Sequence, residues 1–408
     1  MVKYSDSEKQ VLTQLQRGIE ITSRPFQGLE DADAVSAPRY PCSEEEVLAL
    51  LLRAKEDGLL RRFGGVFDAR RLGYKSVLCA LDCPPDQIEE KAAIIVEHPG
   101  VTHCYERRPM NCRAGMVTDL PSAAGLDPRE RGFFQKQQPQ GVATSATVPA
   151  LQKENNYPAL WFTLAMLHDE FEAGISSLRS QLTACHPQHP TRNSQLETRN
   201  FHLPTRNSKL FELPALRRFK IDVVFDLQTR DRDEIFPGID PVAAPVFDES
   251  FRTFSPEEKE LVRALDQQIP LVARPFAALA EQLGQTEEFV LSTLNEWKEQ
   301  GVLRRIGAVL YHREAGFTAN AMCVWPVEGD VAEAGRRMAA RPEVTHCYQR
   351  PRLETFPFDL YAMIHAGSWE QAGEQFNTIS RDCGLSGGAI LASVREFKKS
   401  SMKYFREE

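Results

Sequence analysis

The chain has no apolar run approaching the roughly 18–20 residues that a membrane-spanning helix needs, and its start, MVKYSDSEKQ, carries no secretory signal pattern. Its nine cysteines, an odd number, include no C-x-x-C pair, which argues against both a disulfide scaffold and a zinc site. A reducing cytoplasm is the expected compartment. Basic excess is also missing: the formal charge is −8, so phosphate backbones exert no general attraction. No motif for pyridoxal phosphate, a nicotinamide or thiamine occurs. Hydrophobic residues at 42% and charged residues at 26% exclude a disordered or fibrous class, and 408 residues leave room for several domains.

What is present is self-similarity. GVTHCYERR (100–108) returns as EVTHCYQRP (343–351), and LLRRFGGVFDARRLGY (59–74) returns as VLRRIGAVLYHREAGF (302–317), both displaced by 243 residues. SRPFQGL (23–29) matches ARPFAAL (273–279), and RRFK (217–220) matches REFK (395–398). A period of this length is too long for a solenoid repeat and marks a whole module fused to its copy. The boundary is expected in the Pro- and Asp-rich stretch within 230–254, which reads as a linker.

The second copy is the plainer one. SPEEKELVRALDQQI (255–269) opens with a Ser cap, Pro at the first helical position and acidic residues in the first turn, the groups that complement free amides at a helix start. PFAALAEQLG and TEEFVLSTLNEWKEQG read as two further short helices, and VLRRIGAVLYHREAGF as a strand pair, together a winged helix-turn-helix outline over 255–318. Over 319–408 the expected order is ANAMCVWPV (strand), DVAEAGRRMAAR (helix), VTHCYQR (strand), DLYAMIHAG (strand), WEQAGEQFNTISRDC (helix) and a strand near ILASVREFKK. That βαββαβ order defines a ferredoxin-like sandwich. The first copy repeats the plan as a helix-turn-helix over 1–75 and a ferredoxin-like domain over 76–229, with two Pro-, Gln-, Asn- and Ser-rich insertions (108–155 and 185–212) expected to be loops. The expected class is α+β, a tandem duplication of one two-part module.

Helix-turn-helix followed by a ferredoxin-like module resembles the Lrp/AsnC type of transcription regulator. LRRIGAVLYHREAGFTANAMCVW, VTHCYQRP and FDLYAMIH resemble the siroheme decarboxylases built on that fold, while LRRFGG, VTHCYERR and YPALWFTL resemble their partner subunit. The resemblance implies a fused siroheme decarboxylase that removes CO2 from acetate side chains of siroheme to give didecarboxysiroheme, on a route to haem or a modified haem. It implies siroheme and its products as partners, with no cofactor beyond the iron tetrapyrrole itself. The two halves are expected to pair with each other, and a further dimer is left open.

The residue types suit that chemistry. A tetrapyrrole with a carboxylate on every acetate and propionate arm calls for fixed cations, and the planar fork of arginine pairs carboxylates bidentately. Arg61, Arg62 and Arg107 in the first copy, and Arg304, Arg305 and Arg350 in the second, supply cations at matched places, with His365 as a further substrate contact. Decarboxylation needs an electron sink made by protonating the macrocycle, then a proton to complete the methyl. His346, His312 and His103, with Tyr348 assisting, are the candidate acids, and His346 is also a candidate ligand for the siroheme iron. The bland alternatives are helix-dipole compensation for each Arg pair and core packing for Cys104 and Cys347, which alternate away from their neighbours on a strand. His312 aligns with Ala69 and His365 with Met166, so a single site centred on the second copy is expected. The rivals are a DNA-binding regulator and a non-catalytic tetrapyrrole binder. DNA is disfavoured because the turns that would enter the major groove read SEEEV (43–47) and TEEFV (286–290), placing carboxylates against phosphates.

Overall fold

In the computed structural model the described residues are 4–27, 42–110, 112–113, 116–117, 157–183, 208–221, 252–311 and 316–405. The first copy runs α1 (Asp6–Arg17), α2 (Glu44–Glu56), β1 (Leu60–Phe67), β2 (Tyr74–Asp82), α3 (Ile88–Glu97) and β3 (Val101–Met110). A two-residue pair, β4 (Cys112–Arg113) and β5 (Met116–Val117), precedes β6 (Leu160–Leu167), α4 (His168–Thr183), β7 (Lys209–Leu213) and β8 (Arg217–Ile221). The second copy runs α5 (Pro256–Asp266), α6 (Pro275–Gln282), α7 (Glu287–Glu299), β9 (Leu303–Leu310), β10 (Ala319–Trp325), α8 (Val331–Ala339), β11 (Val344–Gln349), β12 (Leu360–Ala366), α9 (Trp369–Cys383) and β13 (Ala389–Lys399). Ser5, Ser43 and Ser255 each cap a helix and exchange hydrogen bonds with a Glu three residues on, satisfying amides that have no partner inside the helix.

Each module forms the expected ferredoxin-like sheet, β7-β2-β6-β3 in the first and β13-β10-β12-β11 in the second. The two join edge to edge through β3 and β13, and β8 adds to the far edge beside β11. Residues 214–216 alone separate β7 from β8, and so short a link spans at most roughly 14 Å. The outer edges of the nine-stranded sheet are therefore brought together, and the sheet curls on itself with no long free edge. Helices cover the outer face. Cys104 packs there with Phe162, Phe171 and Ile175, and Cys347 with Trp325, Met338 and Phe376, so both cysteines are core residues as expected.

Two expectations need correction. Both expected loops are trimmed by strand: 108–110 belong to β3, and 209–212 to β7, where Leu210 and Leu213 of KLFEL are buried in the sheet. The strand pair expected within each helix-turn-helix is instead shared between the copies: β1 pairs antiparallel with β9, with Gly64 opposite Gly307. The two glycines let the ribbon lie hard against the ends of α5 and α1. A Cβ on Gly64 would lie 2.3 Å from the Leu265 carbonyl oxygen, and one on Gly307 would lie 2.4 Å from that of Leu15.

The matched RRFK and REFK strings explain how the copies interlock. Phe219 of β8 enters the second module's core, over Gly335 of α8, where any Cβ would clash with its ring. Phe397 of β13 packs against the first module's core. Lys220 donates to the Arg341 carbonyl just beyond α8 at 2.9 Å, and Lys398 donates to the Val96 carbonyl in the last turn of α3 at 2.7 Å. Each copy thus caps a helix of the other with an ammonium group at its negative end.

Candidate active site

Both copies of the LRR and THCY strings carry a β-bulge, one extra residue that re-aims its neighbours. The register of β1 against β9 skips Arg61 and, at the other end, Arg304. In β3 it skips Thr102 and in β11 Thr345. The buried Thr102 hydroxyl lies 3.0 Å from His103 Nδ1. Thr345, also buried, lies 3.1 Å from His346 Nδ1, 3.2 Å from His365 Nδ1 and 3.3 Å from the Met363 carbonyl oxygen. One assignment satisfies all three contacts of Thr345. Its single hydroxyl hydrogen goes to the carbonyl, and its oxygen accepts a proton-bearing Nδ1 from each imidazole. Each histidine then presents an unprotonated Nε2, suited to accept a proton or to ligate iron. The first copy lacks this bridge. Strand register makes Ala165, not Met166, the counterpart of His365, since Ala165 faces Ser76 as His365 faces Asn320.

Beyond each histidine, on the face turned away from the helices, a tyrosine and an arginine follow. The His346 and Tyr348 rings lie 6.4 Å apart and nearly parallel, and the Arg350 guanidinium sits 4.8 Å from the Tyr348 ring centre. His103, Tyr105 and Arg107 repeat the ladder with 6.2 Å and 5.2 Å. Burial, reinforced by Arg304, Arg350 and Lys220, pulls the His346 imidazole down to about 4. Burial with Lys399, Arg61, Arg107 and His346 does the same for His103. Both rings are thus neutral at pH 7 in the protein alone. Burial raises the Tyr348 phenol against the pull of Arg350, Arg218, Arg304 and Arg70, keeping it a proton donor.

The six expected arginines divide into three pairs. The bulged Arg61 and Arg304 turn toward the histidines and add to their depressed basicity. Arg62 turns the other way and meets Asp266 at 3.4 Å and the carbonyls of Gly65 and Leu265. Arg305 also faces its helix, packing by Gly18 and lining, with Arg17 and Lys298, a shallow depression of about 200 Å³. That is smaller than the roughly 300–1,000 Å³ of a ligand pocket. Arg107 and Arg350 reach across the seam between modules, donating to the carbonyls of Leu391 and Leu213 respectively. Arg107 is only 5% exposed, its guanidinium driven down to about 10 by burial, so it staples the two modules together and does not line the site as expected. His312 lies outside the described residues.

Sequence reasoning missed the site's densest charge. Asp68, at the end of β1, is buried and receives Arg70 Nε at 3.1 Å, Arg304 at 2.9 Å and Arg218 at 3.2 Å. Burial alone would raise this carboxyl, but the Arg70 hydrogen bond and the three charges hold it well below the usual carboxylate range. Arg218 also faces Tyr348 directly in the β8–β11 register. The signal is present in part, since RRFK matches REFK, but nothing in the string says that it crosses to the other module.

The fold and this cation-lined interior define the class: a regulator-type scaffold in tandem, with its ligand-binding face rebuilt around histidines and arginines. The AsnC-like ligand binding domain family matches residues 71–115 and 314–398, and the siroheme decarboxylase NirDL-like HTH domain matches 258–304. The chain belongs to the siroheme decarboxylase family. It is 32% identical over 402 residues to a siroheme decarboxylase of Hydrogenobacter thermophilus, covering 98% of this chain and 95% of the relative. It is 28% identical to a siroheme decarboxylase NirDL subunit of Paracoccus pantotrophus, covering 90% and 87%. The crystal structure of the siroheme decarboxylase NirDL superposes with a TM-score of 0.59 at 27% identity, covering 98% of this chain and 95% of that one. A co-complex of that protein with an iron-uroporphyrin III analogue gives 0.58.

Proposed function

We propose that the protein is a carboxy-lyase that removes CO2 from acetate arms of siroheme. The observation that carries this reading is the His346–Thr345–His365 bridge set beside Arg304, Arg350 and Tyr348. Arginines hold the arms; the histidines and tyrosine handle protons or the iron. The imidazoles are neutral in the protein alone, chiefly through burial, and a polycarboxylate beside them raises their basicity in so far as it offsets the arginine charge. In the reaction, a proton added to the macrocycle makes it an electron sink. The carbon–carbon bond to the carboxylate then breaks, CO2 leaves and the electron pair enters the ring. A proton on the remaining methylene completes the methyl, and the ring returns the first proton. One proton is consumed for each CO2 released. No cofactor beyond the siroheme is required by this scheme.

DNA is not a partner in this reading. At the starts of α2 and α7, Glu44 and Glu287 are paired with Arg24 and Arg274, so both the acid and its neighbouring cation are already engaged. The test is anaerobic incubation with siroheme followed by mass spectrometry of the pigment. Masses lowered by whole CO2 units are expected; bound siroheme of unchanged mass would leave a binding protein in place of the enzyme.

A further inference from the structure

Three guanidiniums around one carboxylate are more than an ion pair needs. Arg70, Arg218 and Arg304 converge on Asp68, yet their side chains remain 34%, 25% and 26% exposed. Holding like charges together in a half-buried place is costly unless an anion is to join them. The cluster also draws on both copies: Asp68, Arg70 and Arg218 come from the first, Arg304 from the second. The related position in the other half is built differently. Strand register puts Glu396 opposite Tyr105, where Arg218 lies opposite Tyr348. Tyr311 occupies the place of Asp68: the Tyr311 amide donates to the Leu59 carbonyl as that of Asp68 donates to Val302. Arg61, the counterpart of Arg304, donates to the Ser401 hydroxyl at 2.7 Å.

We infer that Asp68, Arg70, Arg218 and Arg304 form a preset carboxylate clamp for the substrate arms nearest Tyr348, present among the described residues at one end only, with Asp68 as the positioning residue that holds the three guanidiniums in place. The inference rests on the siroheme reading. Asp68 spreads the arginines around a fixed centre, so the partly exposed Arg218 and Arg304 guanidiniums are oriented before the ligand arrives and little is lost in ordering them. Two positive charges remain after Asp68 is counted, enough for one or two carboxylates. Glu396 would repel an arm at the corresponding place in the other half, which fixes the orientation of the ring as well as its affinity.

Anaerobic titration with iron uroporphyrin III, an octacarboxylate, tests this on the full-length protein. Arg218→Gln is expected to weaken binding roughly 10- to 100-fold, the worth of one or two charge-assisted hydrogen bonds. Glu396→Gln, which removes the repulsion at the other end, should bind at least as tightly as the parent. Asp68→Asn should keep most of its affinity, because the cations remain, while its kcat on siroheme falls; a residue important only for folding would lower melting temperature and binding together. Should Arg218→Gln fail to fold, Arg70→Gln carries the same expectation from the turn after β1. A folded Arg218→Gln that binds within twofold of the parent overturns the clamp and leaves the siroheme reading standing. A parent protein that does not bind the probe removes both.

Discussion

Thr345 is the residue on which the site's proton placement turns, because a single hydroxyl touches two imidazoles and a carbonyl. Thr345→Val keeps the shape and removes the hydroxyl, freeing both rings to change tautomer. Turnover is expected to fall roughly tenfold, the worth of one well-placed hydrogen bond, while Thr345→Ser restores it. Equal activity in the valine variant would mean that the bridge only packs. His346→Ala should cost about 10²–10⁴ in rate, the range for a general acid, and His103→Ala much less, since Ala165 leaves Thr102 no second imidazole to bridge to His103. Equal losses, with both variants folded, would point to two sites or one shared site.

The same histidines set a pH dependence. Both are held near about 4 in the folded protein, against an ordinary value near 6.5. Between those values the unfolded chain binds more protons than the folded one, so stability falls as pH drops from about 6.5 to about 4. Melting temperatures across that range should show the decline, and a His103→Gln, His346→Gln double variant should flatten it. A slope unchanged in the double variant would assign the effect to other groups. The histidines themselves were legible from the repeated string. The threonine before them was not, because alternation along a regular strand would send it to the opposite face, and only the bulge brings its hydroxyl back to the ring.

Among the elements, the second module was read closely from sequence, since its strands and helices have clean periodicity and ordinary caps. α9 occupies the whole of WEQAGEQFNTISRDC, and β10, β11 and β12 fall where expected. Pairing between elements was the part that sequence did not carry. A strand records which of its faces is apolar but not which neighbour supplies its hydrogen bonds, so β1 and β9 read as parts of local hairpins and most of β7 as loop. β8 shows what such cross-pairing is worth. Phe219 is 4% exposed over Gly335, and Phe219→Ala should destabilise the protein by about 3–5 kcal/mol in chemical denaturation. Phe397→Ala should cost less, because that ring is only half-buried. The reverse order of losses would show that the two strand ends do not anchor as the packing indicates.

At the scale of the whole molecule, three antiparallel pairings among the described residues join the copies: β1 with β9, β3 with β13, and β8 with β11. A protease site introduced within 230–250 and then cut should therefore leave two fragments that co-elute on size exclusion and retain siroheme turnover. Fragments that separate under native conditions would mean that the peptide link, not the seam, holds the halves together. The placement of Asp68, Arg70 and Arg218 has a consequence for how such a fused chain can change over generations. A duplicate that has lost a catalytic histidine is ordinarily free to drift, since nothing it does is any longer needed. In the proposed site the copy without the histidine pair lends its side chains to the other, so a harmful substitution in it is exposed to selection as surely as one beside His346. The two halves are free to grow unlike in their turns and insertions, but neither can become a relic.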